Sequence, residues 1–165
     1  PFPSPSLSSS LSPNRIAHAI RHLDPDYIFN MATLTGAQAM ATGVLHAGVV
    51  APSEEVEQLV VRAGLVSGDV CFPMMYCPEF LAKELSSVVA DMKNSARNRS
   101  NAGASVAAQF LANHMEEYLS QGKFWGHIDI AAPAHESERA SGFGVSLIST
   151  ILLILSQDEE DEEED

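Results

Sequence analysis

The sequence predicts an α/β fold: a mixed, largely parallel sheet flanked by helices. Three observations predict it. Apolar runs of strand length, over 26–32, 44–51, 86–92 and 123–132, alternate with stretches whose apolar residues recur at helical spacing. The loops after the first, third and last of these runs, TLTGAQ, KNSARNRSNAG and APAHESERASG, are rich in small and polar residues, as the carboxyl edge of such a sheet requires. A chain of 165 residues with 45% apolar and 19% charged residues is also large enough for one ordinary core.

The elements follow in chain order. PFPSPSLSSSLSP, residues 1–13, is a Ser/Pro-rich stretch without helix or strand pattern and reads as a flexible lead-in. Ile16, Ala19, Ile20 and Leu23 share one helical face, so 14–23 is a short helix stopped by Pro25. The strand at 26–32 leads through TLTGA into a second at 44–51. Ser53 then opens a helix with Glu54 and Glu55 in its first turn, where the dipole favours them. Pro78 starts another short helix through Leu85, and SSVVADM, 86–92, is the third strand. Ala104, Ala108, Leu111, Met115 and Leu119 form one long 3.6-period stripe, followed by the strand at 123–132.

The apolar stretch 143–155 reads as a buried terminal helix, since 13 residues are too few for a bilayer that needs about 20. The folded unit is thus expected over 14–156. Residues 157–165, QDEEDEEED, hold eight of the 22 acidic residues and read as a disordered acidic tail. Without it, 14 acidic residues face nine basic ones, so the formal charge of −13 is mostly a property of the tail. Net acidity argues against a nucleic-acid partner, and no segment argues for a membrane. Cys71 and Cys77 fit neither a disulfide framework nor a zinc-ribbon spacing and read as free thiols in a reducing, cytoplasmic setting.

Five clusters bear chemistry. In TLTGA, Gly36 lets backbone approach a ligand while Thr33 and Thr35 offer hydroxyls, although a threonine-capped strand-to-helix turn explains the same residues. Asp91, Lys93 and Asn94 are a candidate metal or carbonyl-polarising group, or a surface ion-pair cluster, with Arg97 and Arg99 turned to solvent or to a neighbouring subunit. SNAGAS, 100–105, is a helix start suited to an anion or to ordinary capping. Trp125, His127 and Asp129 alternate on one strand face, and without a third ligand His127 and Asp129 read as a packed, hydrogen-bonded pair. His135, Glu136 and Glu138 likewise lack a third element. No G-x-S-x-G elbow, P-loop, H-E-x-x-H or dinucleotide fingerprint occurs.

Taken together, NMATLTGAQAMATG (30–43), ADMKNSARNRSNAGASVAAQFL (90–111) and WGHIDIAAPAHESERASGFGVSL (125–147) resemble the C-terminal part of the leucyl (cytosol) aminopeptidase family, nearest its eukaryotic probable-aminopeptidase-like branch. The resemblance spans about residues 15–155 in order and spacing. It implies an incomplete, C-terminal half of an aminopeptidase catalytic domain. It further implies removal of N-terminal residues such as leucine from peptides by two divalent metals, zinc or manganese, in hexamers. Thr33, Leu34 and Gly36, with Ala131 and Ala134, match segments that line the family's substrate cleft and first specificity pocket. Asn30 stands where an aspartate is common. The family's metal-holding lysine, aspartates and N-T-D-A-E-G-R motif precede the segment matching 14–23, and no acidic residue precedes Asp24 here. The chain as written is therefore expected to bind no metal pair and to hydrolyse no peptide. The alternative is a non-catalytic subunit joining full-length aminopeptidase hexamers. With sheet edges and apolar helix faces uncovered, aggregation or obligate association is expected.

Overall fold

The structure, a computed structural model, describes residues 6–164, of which 6–12 and 159–164 are described by backbone alone. Residues 1–5 of the expected lead-in and Asp165 of the tail lie outside the described residues. In order come α1 (Ser6–Leu23), β1 (Tyr27–Ala32), α2 (Gly36–Thr42), β2 (Ala47–Val50), α3 (Glu54–Ser67) and β3 (Cys71–Pro73). They are followed by α4 (Pro78–Leu81) with a 3-10 turn over Ala82–Leu85, α5 (Gly103–Ala112), α6 (Glu116–Ser120) and β4 (Phe124–Asp129). A two-residue hairpin, β5 (His135–Glu136) and β6 (Arg139–Ala140), precedes α7 (Val145–Glu164).

The main sheet has the order β1-β4-β2-β3. β1 runs parallel to β4 and β2 parallel to β3, while β2 and β4 are antiparallel. The sheet is therefore mixed and mostly parallel, as predicted. Because side chains alternate along a strand, the two faces bury different sets. Ile28, Val50 and Trp125 pack with Ile16 of α1, Ala108, Leu111 and Ala112 of α5, and Met115 and Tyr118. Ala47, Val49, Cys71 and Ile128 pack with Val60 and Ala63 of α3 and Leu147 and Ile151 of α7.

Several expectations are corrected. Residues 86–92 form no strand: Val88 and Val89 stand 101% and 92% exposed, and the Ser87 hydroxyl accepts from the N–H groups of Val89 and Ala90, turning the backbone away from extension. The third strand is instead β3, three residues long at a sheet edge where Pro73 is tolerated. The long stripe at 104–119 is two helices, with Asn113 and Met115 closing α5 through bonds to the carbonyls of Gln109 and Ala112. α1 begins at Ser6, not at residue 14, and carries Pro13 within it; Leu23 is exposed and does not join its buried face. α7 continues through Glu164 into the expected tail, since glutamate is a good helix former, although no basic side chain offsets the dipole in its last turn.

Local signals explain the rest. Ser53 caps α3, accepting from Val56 N–H at 3.2 Å, and Gly68 ends that helix at φ 85°. The start of α7 is capped at long range: Asp69 Oδ2 accepts from Gly144 N–H at 2.9 Å and Leu147 N–H at 3.2 Å. No helix among the described residues is long and apolar enough to cross a membrane.

Candidate functional site

β1 and β4 lie side by side in parallel, so the segments leaving them emerge together: 33–37 after Ala32, and 130–134 after Asp129. Ala32 and Asp129 are register partners, which sets the Asp129 carboxylate under the first of these turns. Its Oδ1 accepts from Leu34 N–H and from Ala131 N–H, each at 3.1 Å. Its Oδ2 accepts from Thr35 N–H at 3.1 Å and from the Thr35 hydroxyl at 2.7 Å. One buried carboxylate thus holds both turns in fixed relation. Burial pushes Asp129 up from the ordinary carboxylate range, and the bonds from Thr35, Leu34 and Ala131 pull against it.

Thr35 also caps α2, its hydroxyl accepting from Gln38 N–H at 3.2 Å. Gln38 is fully buried and ties the same region together: Nε2 donates to the His46 carbonyl at 2.7 Å, and Oε1 accepts from Ala132 N–H at 2.9 Å. Each of these polar atoms has a partner, as burial demands. The turn is a threonine-capped strand-to-helix junction, one of the two readings its residues allowed.

Two hollows flank the junction. Gly36 and Ala131 share the wall of a groove of about 750 Å³ that also meets Val44, Leu45, Pro133 and Phe143. On the other side, Leu34 and Thr35 line a smaller cavity of about 240 Å³ with Asn94, Ser95, Val106 and Phe110. Of the five site residues read from the sequence, the structure brings Gly36 and Ala131 into one groove and Leu34 into the neighbouring cavity. Thr33 is exposed and Ala134 half-buried, and neither lines these two hollows. The loop 93–101 reaches the junction as predicted, but from the 3-10 turn and not from a strand. Glu84 anchors it, accepting from Asn98 N–H at 2.8 Å and from the Asn101 amide at 3.1 Å.

The remaining candidates separate. Asn94 is exposed on that loop, Asp91 is exposed just before it with no ion pair among the described residues, and Arg97 donates to the Ser86 hydroxyl at 2.7 Å. Ala102 caps α5 without a side-chain bond, so SNAGAS forms no side-chain cap. His135 and Glu136 are exposed in the hairpin. His127 is fully buried, facing Asn30 on β1, and burial pushes its imidazole down to about 4. His127 and Asp129 are both packed and hydrogen-bonded, each to other residues.

Sequence reasoning missed the organising roles of Asp129, Gln38 and Glu84. The spacing of Asp129 on the strand was visible, yet its partners Leu34 and Thr35 lie 94 to 95 residues away.

Residues 14–149 match the cytosol aminopeptidase family, catalytic domain. The chain is 46% identical over 143 residues to the human protein called probable aminopeptidase NPEPL1, covering 87% of this chain and 27% of that one. It is 40% identical over 138 residues to leucine aminopeptidase 1 of Caenorhabditis elegans, covering 83% and 28%. Among solved structures, leucyl aminopeptidase from Trypanosoma cruzi superimposes with a TM-score of 0.82 at 42% identity, over 87% of this chain and 28% of that one. The chain thus spans little more than a quarter of the length of these relatives.

Proposed function

Because the chain belongs to the cytosol aminopeptidase family, we propose that it forms the substrate-side wall of a cleft that removes N-terminal residues, leucine-like ones included, from peptides. The observation that carries this reading is the Asp129 junction. It fixes Gly36 and Ala131 beside an open groove where Val44, Leu45, Pro133 and Phe143 offer apolar surface to an aliphatic side chain, with His135 and Glu136 of the hairpin on the same lining. Thr33 and Leu34, on the segment leading to Gly36, and Ala134, on the segment after Ala131, are proposed to belong to the same substrate side, although none of the three lines the groove.

The family resemblance implies two divalent ions, zinc or manganese, and the residues present do not fit them. Among the described residues no three His, Cys, Asp or Glu side chains are grouped to hold a metal. Asp129 and His127 are committed inward, both oxygens of Asp129 accepting from the turns and His127 Nδ1 meeting Asn30, and His135 and Glu136 line the groove with no third ligand grouped beside them among the described residues. No step is therefore routed through metal on these residues. In this reading the 165 residues alone hydrolyse no peptide, and the metal-holding wall comes from an upstream segment or another subunit, in the cytoplasm.

Hydrolysis of leucyl-p-nitroanilide tests it. The chain with added manganese should be silent, and joining it to a family segment carrying the N-T-D-A-E-G-R motif should restore chelator-sensitive turnover. Manganese-dependent, chelator-sensitive turnover by the chain alone would sink the proposal. A second reading, a non-catalytic subunit of aminopeptidase assemblies, is favoured by the large apolar side chains left in solvent, among them Leu45, Phe72, Leu152 and Leu153. Co-purification with an active full-length aminopeptidase supports it, and a monodisperse monomer counts against it.

A further inference from the structure

Asn30 on β1 sits opposite His127 on β4, and its side-chain amide makes two bonds. Trp125 Nε1–H donates to Asn30 Oδ1 at 2.8 Å, and Asn30 Nδ2 lies 2.7 Å from His127 Nδ1. Chemistry fixes the direction of both. An indole N–H can only donate, so the amide oxygen of Asn30 must face Trp125. The NH2 group must then face His127. Its Nδ1 can meet that donor only as an acceptor, and a neutral imidazole with Nδ1 unprotonated carries its proton on Nε2.

We propose that Asn30 is a positioning residue that locks His127 in the neutral Nε2–H form, so that the buried layer behind the candidate site offers a hydrogen-bond donor on the side of the ring away from β1. His127 is fully buried, and its Nε2 has no hydrogen-bond partner among the described residues. A group seated against it must present an acceptor, such as a carbonyl, carboxylate or water oxygen. An ammonium or amide N–H there would meet another donor and be excluded. The relay from Trp125 through Asn30 to His127 also ties β1 to β4 three residues before Thr33, and so bears on the two segments that carry the wall.

The tautomer is directly measurable and needs no peptidase activity, so its outcome is separate from that of the aminopeptidase reading. The full chain is labelled with 15N-histidine, and His127 is assigned by the resonances lost in His127→Gln. Long-range 1H–15N correlation in solution, or magic-angle spinning if the chain associates, then reads which nitrogen is protonated. The expected result is a pyridine-type Nδ1 and a pyrrole-type Nε2. In Asn30→Asp the carboxylate accepts from both Trp125 Nε1–H and His127 Nδ1–H, so the two nitrogen types should exchange. A pyrrole-type Nδ1 in the unaltered chain, a doubly protonated ring or an averaged mixture of tautomers would overturn the proposal. If Asn30→Asp fails to fold, the spectrum of the unaltered chain still decides.

Discussion

The two faces of the sheet differ in how they are built. Toward α3 and α7, the strands contribute Ala47, Val49, Cys71 and Ile128 to a layer that is apolar throughout. Toward α1, α5 and α6, the apolar Ile28, Val50 and Trp125 share their face with Asn30, His127 and Asp129, all hydrogen-bonded. The first face is held by non-directional burial. The second gives up apolar area for directional bonds, which fix where two backbone turns stand. Both candidate hollows flank the turns bonded to Asp129 on the second face, where position matters more than area.

The comparison can be broken most forcefully on the apolar face. Leu147→Ala should cost about 3–4 kcal/mol through lost burial and a residual cavity. It should lower the urea midpoint, measured at fixed protein concentration, without altering the bonds around Asp129. A loss under about 1 kcal/mol would mean the α7 side is not the stabilising layer.

On the polar face the next largest effect is with pH. His127 is pushed down to about 4 from 6.5, so the unfolded chain binds more protons than the folded one between those values. Its contribution is present above pH 6.5 and is lost as pH falls to about 4, an effect on the order of 3 kcal/mol. Asp129, pushed up, works in the opposite sense: the folded state takes its proton more readily, so its penalty is relieved as pH falls. Urea midpoints across this range should decline with acid in the unaltered chain and flatten in His127→Gln; an unchanged slope in that variant would assign the decline elsewhere.

Asp129→Asn should cost about 2–3 kcal/mol, because one of its positions becomes a donor facing the N–H groups it once accepted. Unlike Leu147→Ala it should act locally, speeding hydrogen exchange at Leu34, Thr35 and Ala131. Protection that stays intact at those amides would show that the turns hold without the carboxylate. The smallest effect lies outside both faces: Ser53→Ala removes the cap of α3 and should cost about 1 kcal/mol, seen as a small drop in melting temperature with no change at the site.

Much of the fold was legible locally. The cap at Ser53, the strands at 27–32 and 124–129, and the small-residue turns after them are written in short windows of sequence. The false strand at 86–92 and the overlooked β3 fail for one reason. β-rich composition describes a side chain's preference, whereas a strand exists only where a neighbour supplies bonds. Val88 and Val89 had none, and the short Cys71–Pro73 segment had β2.

By itself the sequence determined the alternation of helices and strands, the small-residue turns after the first and last strands and the family to which the chain belongs, because these rest on periodicity, turn chemistry and ordered motifs. Only the tertiary structure decided that β2 runs against β4, that Asp69 caps α7, and that Asp129 and Asn30 join segments more than 90 residues apart. A carboxylate or an amide takes its role from the partner it meets, and that partner is chosen by strand register in space.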